Sequence, residues 1–164
     1  MKFFLIFILF TILLTGCADK NAFSKFNMTT AQGLSESSLQ SSKIKSNKQI
    51  DGVFSVIYLN EVYPNIYFKN EYFYVYFYLK NKKKMYNPNL LEDIGLTLKL
   101  NSQLPIKIKQ LPPANKFSHL VTTKNEWNSY YLVAFKEQKS KKLSIVLENG
   151  QSSSDPLIYQ KDIQ

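Results

Sequence analysis

The segment Glu71–Lys80, EYFYVYFYLK, alternates without a break: Phe73, Val75, Phe77 and Leu79 on one side, Tyr72, Tyr74, Tyr76 and Tyr78 on the other. Successive strand side chains point to opposite faces, so this stretch predicts a β-strand with a hydrocarbon face toward a core and a phenolic second face. A helix would scatter both sets around its axis. Much of the chain after Asp51 repeats the device. Strands are predicted over Val53–Leu59, Ile66–Phe68, Ile94–Leu100 (Leu96, Leu98 and Leu100 inward) and Leu104–Lys109 (Leu104, Ile106 and Ile108 inward). Further strands are predicted over Phe117–Thr122, Trp127–Phe135, Leu143–Leu147 and Pro156–Lys161. Tyr63-Pro64-Asn65, Pro112-Pro113 and Asn149-Gly150 punctuate them, the last a hairpin signal ahead of a wider Ser-rich loop.

Seven to nine short strands with no helix of three turns predict an all-β fold, an antiparallel β-sandwich of immunoglobulin-like or transthyretin-like type. A small closed barrel is the runner-up, because strand counts do not separate the two. The chain has one cysteine, so packing alone must hold the sheets together.

The first seventeen residues have a different character. Met1-Lys2 precedes a 12-residue apolar run, Phe3–Leu14, and then Thr15-Gly16-Cys17. The run is shorter than the ~20 residues of a spanning helix and matches the layout of an export signal. Leu14-Thr15-Gly16-Cys17 resembles the lipobox of bacterial lipoproteins. That resemblance covers the signal alone and leaves the domain unassigned. It implies that residues 1–16 are removed, that Cys17 carries the lipid, and that the chain is held to a membrane of the cell envelope. The residue after the cysteine is Ala18 rather than Asp, which in that class points to the outer membrane more than the inner. Residues 17–50, rich in Ser, Asn, Lys and Gln with no sustained period, read as a tether with a short helix over Ala31–Leu39. Residues 51–164 then form the β-sandwich domain.

No constellation for catalysis stands out. His119 is the single histidine, on the predicted face of Phe117 and Val121, and no G-x-S-x-G turn precedes Ser152, Ser153 or Ser154. Glu92-Asp93, Glu126, Glu137 and Glu148 form no motif, and there is no phosphate loop or metal-ligand spacing. The expectation is a non-enzymatic protein with no cofactor and no metal.

Two features suggest binding. The tyrosine face, Tyr72, Tyr74, Tyr76 and Tyr78 continued by Tyr130 and Tyr131, suits a protein partner or a glycan if it is open. Alternatively the tether, a loop or the second sheet covers it. All 21 basic residues are lysine against 12 acids, a net charge of +9. Lysines cluster at Lys82, Lys83 and Lys84 and at Lys136, Lys139, Lys141 and Lys142. Such patches are a solvated face or a site for anionic lipid. The absence of arginine and of a recognition helix argues against nucleic acid. The leading expectation is a lipoprotein presenting a β-sandwich to another envelope protein, with a secretion or surface assembly as the setting. A glycan- or lipid-binding module is the alternative, and a small periplasmic hydrolase ranks below both.

Overall fold

The computed structural model describes residues 29–80, 85, 95–121 and 125–161. The signal region, Cys17 and Lys82–Lys84 lie outside them.

The elements run α1 (Thr30–Ser38), β1 (Gln40–Ser46), β2 (Gln49–Tyr58), α2 (Leu59–Val62), β3 (Glu71–Leu79), β4 (Thr97–Leu100) and β5 (Lys107–Leu111). A 3-10 turn (Ser118–Leu120) leads to β6 (Ser129–Phe135), β7 (Lys142–Asn149), β8 (Ser152–Ser154) and β9 (Leu157–Gln160). All nine strands belong to one antiparallel sheet of order β4-β7-β8-β1-β2-β3-β6-β5, with β9 also on β7. The first and last strands of that order, β4 and β5, are consecutive in the chain. Seven inter-strand spacings of a flat sheet would separate them by about 34 Å. The link from Leu100 to Lys107 reaches about 25 Å at full stretch, and it is shortened further by a tight turn at Asn101-Ser102. The sheet therefore curls into a half-barrel. The inner face collects Ile44, Phe54, Val56, Phe73, Val75, Phe77, Leu98, Val133, Phe135, Leu143, Ile145 and Leu157 into one core.

The β3 alternation is realised: Phe73, Val75, Phe77 and Leu79 are buried in this core. Leu96, Leu98 and Leu100 point inward as expected. Other expectations are corrected. The predicted boundary at Asp51 falls inside β2. Residues 30–46, read as tether, form α1 and β1, and β1 lies within the sheet between β2 and β8. Ile44, the one large apolar residue of β1, is fully buried. The helix expected over Ala31–Leu39 is present as α1. Its Thr29–Gln32 capping box has the Thr29 N–H donating to Gln32 Oε1 (2.9 Å) and the Gln32 N–H to Thr29 Oγ1 (3.3 Å).

Ile66–Phe68 is a turn rather than a strand, because the Tyr63 carbonyl accepts the N–H groups of both Ile66 and Tyr67 (3.0 Å each) and curls the chain after Pro64. Phe117–Thr122 is likewise not extended. The Asn115 side chain accepts the Phe117 N–H (2.9 Å) and Ser118 Oγ the Asn115 N–H (2.8 Å), which winds the segment into the 3-10 turn. Leu104 and Ile106 are exposed, since β5 begins only at Lys107, leaving Ile108 as the inward residue. The Asn149-Gly150 hairpin is tight: Asn149 Oδ1 accepts the N–H groups of Gln151 and Ser152, and β8 starts at once. Pro156 breaks β8 from β9, and the Gln40 amide clamps Ile158 from both sides, donating to its carbonyl (2.6 Å) and accepting its N–H (3.0 Å).

Gly52 marks an irregularity between β1 and β2, where Ile44 faces Gly52 but Lys45 faces Ile50 and Asp51 is the extra residue. A Cβ on Gly52 would lie 2.0 Å from the Tyr78 carbonyl oxygen. The hairpin itself turns through Asn47 and Lys48, both left-handed (φ 48° and 66°).

Candidate functional site

The tyrosine face looks outward from the half-barrel, and most of it is covered. α1, α2 and the 3-10 turn lie over it and form a second apolar cluster of Ile57, Leu59, Val62, Phe117, Leu120 and Val121 with Tyr74 and Tyr130. Hydroxyl-bearing α1 is held there by polar bonds: Ser35 Oγ donates to the Leu120 carbonyl (3.1 Å), Gln32 Nε2 to the His119 carbonyl (3.3 Å), and the Tyr58 N–H to Ser38 Oγ (3.1 Å). Of the two readings of the six tyrosines, open platform or covered face, the structure shows a face that is mostly covered. Tyr74 and Tyr130 are buried and stacked with centroids 6.2 Å apart, Tyr72 and Tyr76 are half-buried, and Tyr78 alone of the β3 ladder is open. Tyr131 belongs to the other face, as the neighbour of Tyr130 on one strand must, and it stacks on Phe77 in the inner core.

Burial raises the phenol of Tyr74 to about 12, opposed by a hydrogen bond from Asn115 Nδ2 (3.4 Å), and it raises Tyr76 and Tyr131 as well. Each buried hydroxyl has a partner: Tyr130 donates to the Asn125 carbonyl (3.0 Å), and Tyr131 accepts the Met85 N–H (3.2 Å). These groups are structural anchors rather than proton donors to a ligand.

Where the cap stops, the same sheet face is bare. Lys43, Val53 and Tyr78 stand directly opposite one another across β1, β2 and β3. Ile50 and Val53 are each 45% exposed and Tyr78 43%. Trp127, 73% exposed, precedes β6 at this end, where Ser129 faces Phe77. Exposed Lys48 and Lys80 rim the group. Ile50, Val53 and Tyr78 thus leave an apolar stretch of the sheet face uncovered, with cations at its edge, a composition that suits protein interfaces.

The opposite end of the strands carries a groove of about 550 Å³. Leu34, Tyr67, Phe68 and Lys69 line it, and Tyr58, Glu71 and Lys161 form its floor. Glu71 is almost fully buried and fully engaged. Its Oε1 accepts Lys161 Nζ (2.7 Å) and the Gln138 N–H (2.9 Å), and its Oε2 accepts the Tyr58 hydroxyl. Burial first, then the hydrogen bond to Glu71 and its charge, push the Tyr58 phenol far above its ordinary value. The knot joins β2, β3, the β6–β7 turn and the residue after β9, so it fastens the end of the sheet.

His119 is exposed and its Nε2 bonds the Tyr63 hydroxyl (2.7 Å). Ser154 Oγ accepts the Leu147 N–H (3.0 Å) within the sheet, so the histidine and the serine run are held by different partners. Among the described residues, no group of three His, Cys, Asp or Glu side chains is placed to hold a metal ion. No helix among them is long and apolar enough to cross a membrane. Lys136, Lys139, Lys141 and Lys142 are all exposed, on the turn into β7 at the groove end.

No family model matches the chain, and no curated protein or solved structure is significantly similar to it.

Proposed function

We propose that this is a non-enzymatic lipoprotein of the cell envelope, anchored through Cys17 and presenting the bare end of its sheet face to another envelope protein. The observation that carries the reading is the row Lys43–Val53–Tyr78, with Ile50 beside it, left open on a face that the fold otherwise covers with two helices and a 3-10 turn. The rim of Lys43, Lys48 and Lys80 suits a partner with an apolar centre and acidic edges. In this reading the half-barrel works as immunoglobulin-like and transthyretin-like sandwiches do, as a rigid core displaying one outer face, and a secretion or surface assembly is the setting. The lipobox resemblance of Leu14–Cys17, with Ala18 following, supports the anchor and favours the outer membrane.

Two experiments test it. Radiolabelled palmitate should enter the wild-type protein and not Cys17→Ala; equal labelling of both would refute the anchor. Val53→Asp with Tyr78→Ser should abolish capture of a crosslinked partner while the far-ultraviolet spectrum is unchanged. Undiminished capture by the folded double variant would refute the docking face.

A further inference from the structure

The described structure reaches back to Thr29, so at most twelve residue steps separate Cys17 from the domain. Twelve residues span no more than about 40 Å in any conformation. The chain enters the fold beside the groove: Leu34, which lines the groove, is five residues into the structure from Thr29, about 7.5 Å along the helix.

The groove end also has the surface chemistry of a bilayer contact. Ile66 and Phe68 stand out from the turn before β3, each 66% exposed, with Lys69 Nζ 5.9 Å above the Phe68 ring. The β6–β7 turn lies alongside, since Glu71 faces Phe135 in the ladder and Glu137 lines the same groove. Lys161 is consumed by Glu71. The exposed charged residues on these two turns, α2 and α1 are Lys69, Lys136, Lys139, Lys141 and Lys142 against Glu36, Glu61 and Glu137, a balance of five to three. Apolar side chains at the tip of a turn, ringed by lysines, gain from burial at the headgroup boundary and from attraction to anionic lipid.

We infer that the groove end rests on an anionic phospholipid surface, with Ile66 and Phe68 entering the interface. This rests on the lipid-anchor reading above and adds an orientation to it. The bare Val53–Tyr78 end then points away from the bilayer, at the other end of a strand about 27 Å long (nine residues). The lysine excess has a specific role at the groove end, and the protein partner is met at the far end.

The test uses the lipidated full chain in vesicles of phosphatidylethanolamine and phosphatidylglycerol, with an environment-sensitive fluorophore on Asn65→Cys or Gln151→Cys. Cys17 is blocked by its lipid in both. Flotation with the vesicles is scored first, because protein that fails to float refutes the anchor and takes this inference with it. In floating protein, the label at residue 65 should shift to the blue and resist an aqueous quencher, while the label at residue 151 stays water-like. The shift at 65 should be lost in Ile66→Ser with Phe68→Ser. It should weaken in Lys139→Gln with Lys141→Gln and Lys142→Gln, about fivefold in apposition per lysine removed. Floating protein whose residue 65 stays water-like overturns the inference alone. Shielding of residue 65 only after another envelope protein is added would assign this end to a protein partner and also overturn it.

Discussion

Replacing Ile44 with alanine should destabilise the protein by about 3–4 kcal/mol. Ile44 is fully buried in the inner core, in a strand flanked on both sides. Deleting three carbons at about 0.8 kcal/mol each removes about 2.4 kcal/mol of transfer energy, and the cavity left behind adds the remainder. Ile50→Ala is the matched control: it is only six residues away but its side chain is half out of the protein, so its cost should stay within about 0.5 kcal/mol. Urea unfolding of a chain starting at residue 17, with Cys17→Ser, measures both. The midpoint should fall for Ile44→Ala with an unchanged slope, and thermal unfolding should drop by roughly 10–15 °C. A loss under about 1 kcal/mol, equal to that of Ile50→Ala, would mean that residues 40–46 are not part of the cooperative unit and would refute the placement of β1 in the sheet.

Gly52→Ala should cost at least about 2 kcal/mol in the same assay, because the new Cβ would meet the Tyr78 carbonyl oxygen and the ladder would have to part; no loss would refute that packing. Lys48→Gly should stabilise by about 1 kcal/mol, since a left-handed lysine pays a strain that glycine avoids, and a destabilised variant would contradict the turn geometry. Stability should also fall as pH rises from about 10 to about 12. Tyr74 in the folded chain holds its proton to about 12 against about 10 unfolded, so its contribution is complete below pH 10 and lost as pH climbs through the folded value. Absorbance titration near 295 nm should show several late-ionising phenols, one fewer in Tyr74→Phe; normal ionisation of all eleven tyrosines in the folded protein would refute the burial.

The inner core was legible in the sequence because strand alternation is a local signal. Phe73 to Leu79 and Leu96 to Leu100 carry it in full, and both lie where the pattern puts them. β1 was not legible, since QSSKIKS offers a single large apolar residue; it is held by ladders on both edges, and backbone hydrogen bonds leave no mark in composition. α1 was expected as a short helix over Ala31–Leu39, but as part of a tether: its buried residues are Ser35 and Ser38, so no hydrophobic period shows that it packs on the domain, and the Thr29–Gln32 capping box marks only its start. Tyr72, Tyr74, Tyr76 and Tyr78 share a face as the alternation says, with Tyr130 but not Tyr131 beside them, and the cover of that face comes from segments distant in the chain. Which of its rings would be open depended on where α1 and the 3-10 turn end. The Glu71–Tyr58–Lys161 knot depends on a bond between Glu71 and Lys161, 90 positions apart, and carried no sequence signal.

The proposed function turns on whether the Val53–Tyr78 end meets a protein. A photocrosslinking residue placed at Tyr78 and, in a separate strain, at Phe68, followed by irradiation of living cells, decides it. Position 78 should give a discrete protein adduct that is lost with Val53→Asp, and position 68 none. Protein adducts from position 68 with none from position 78 would contradict it.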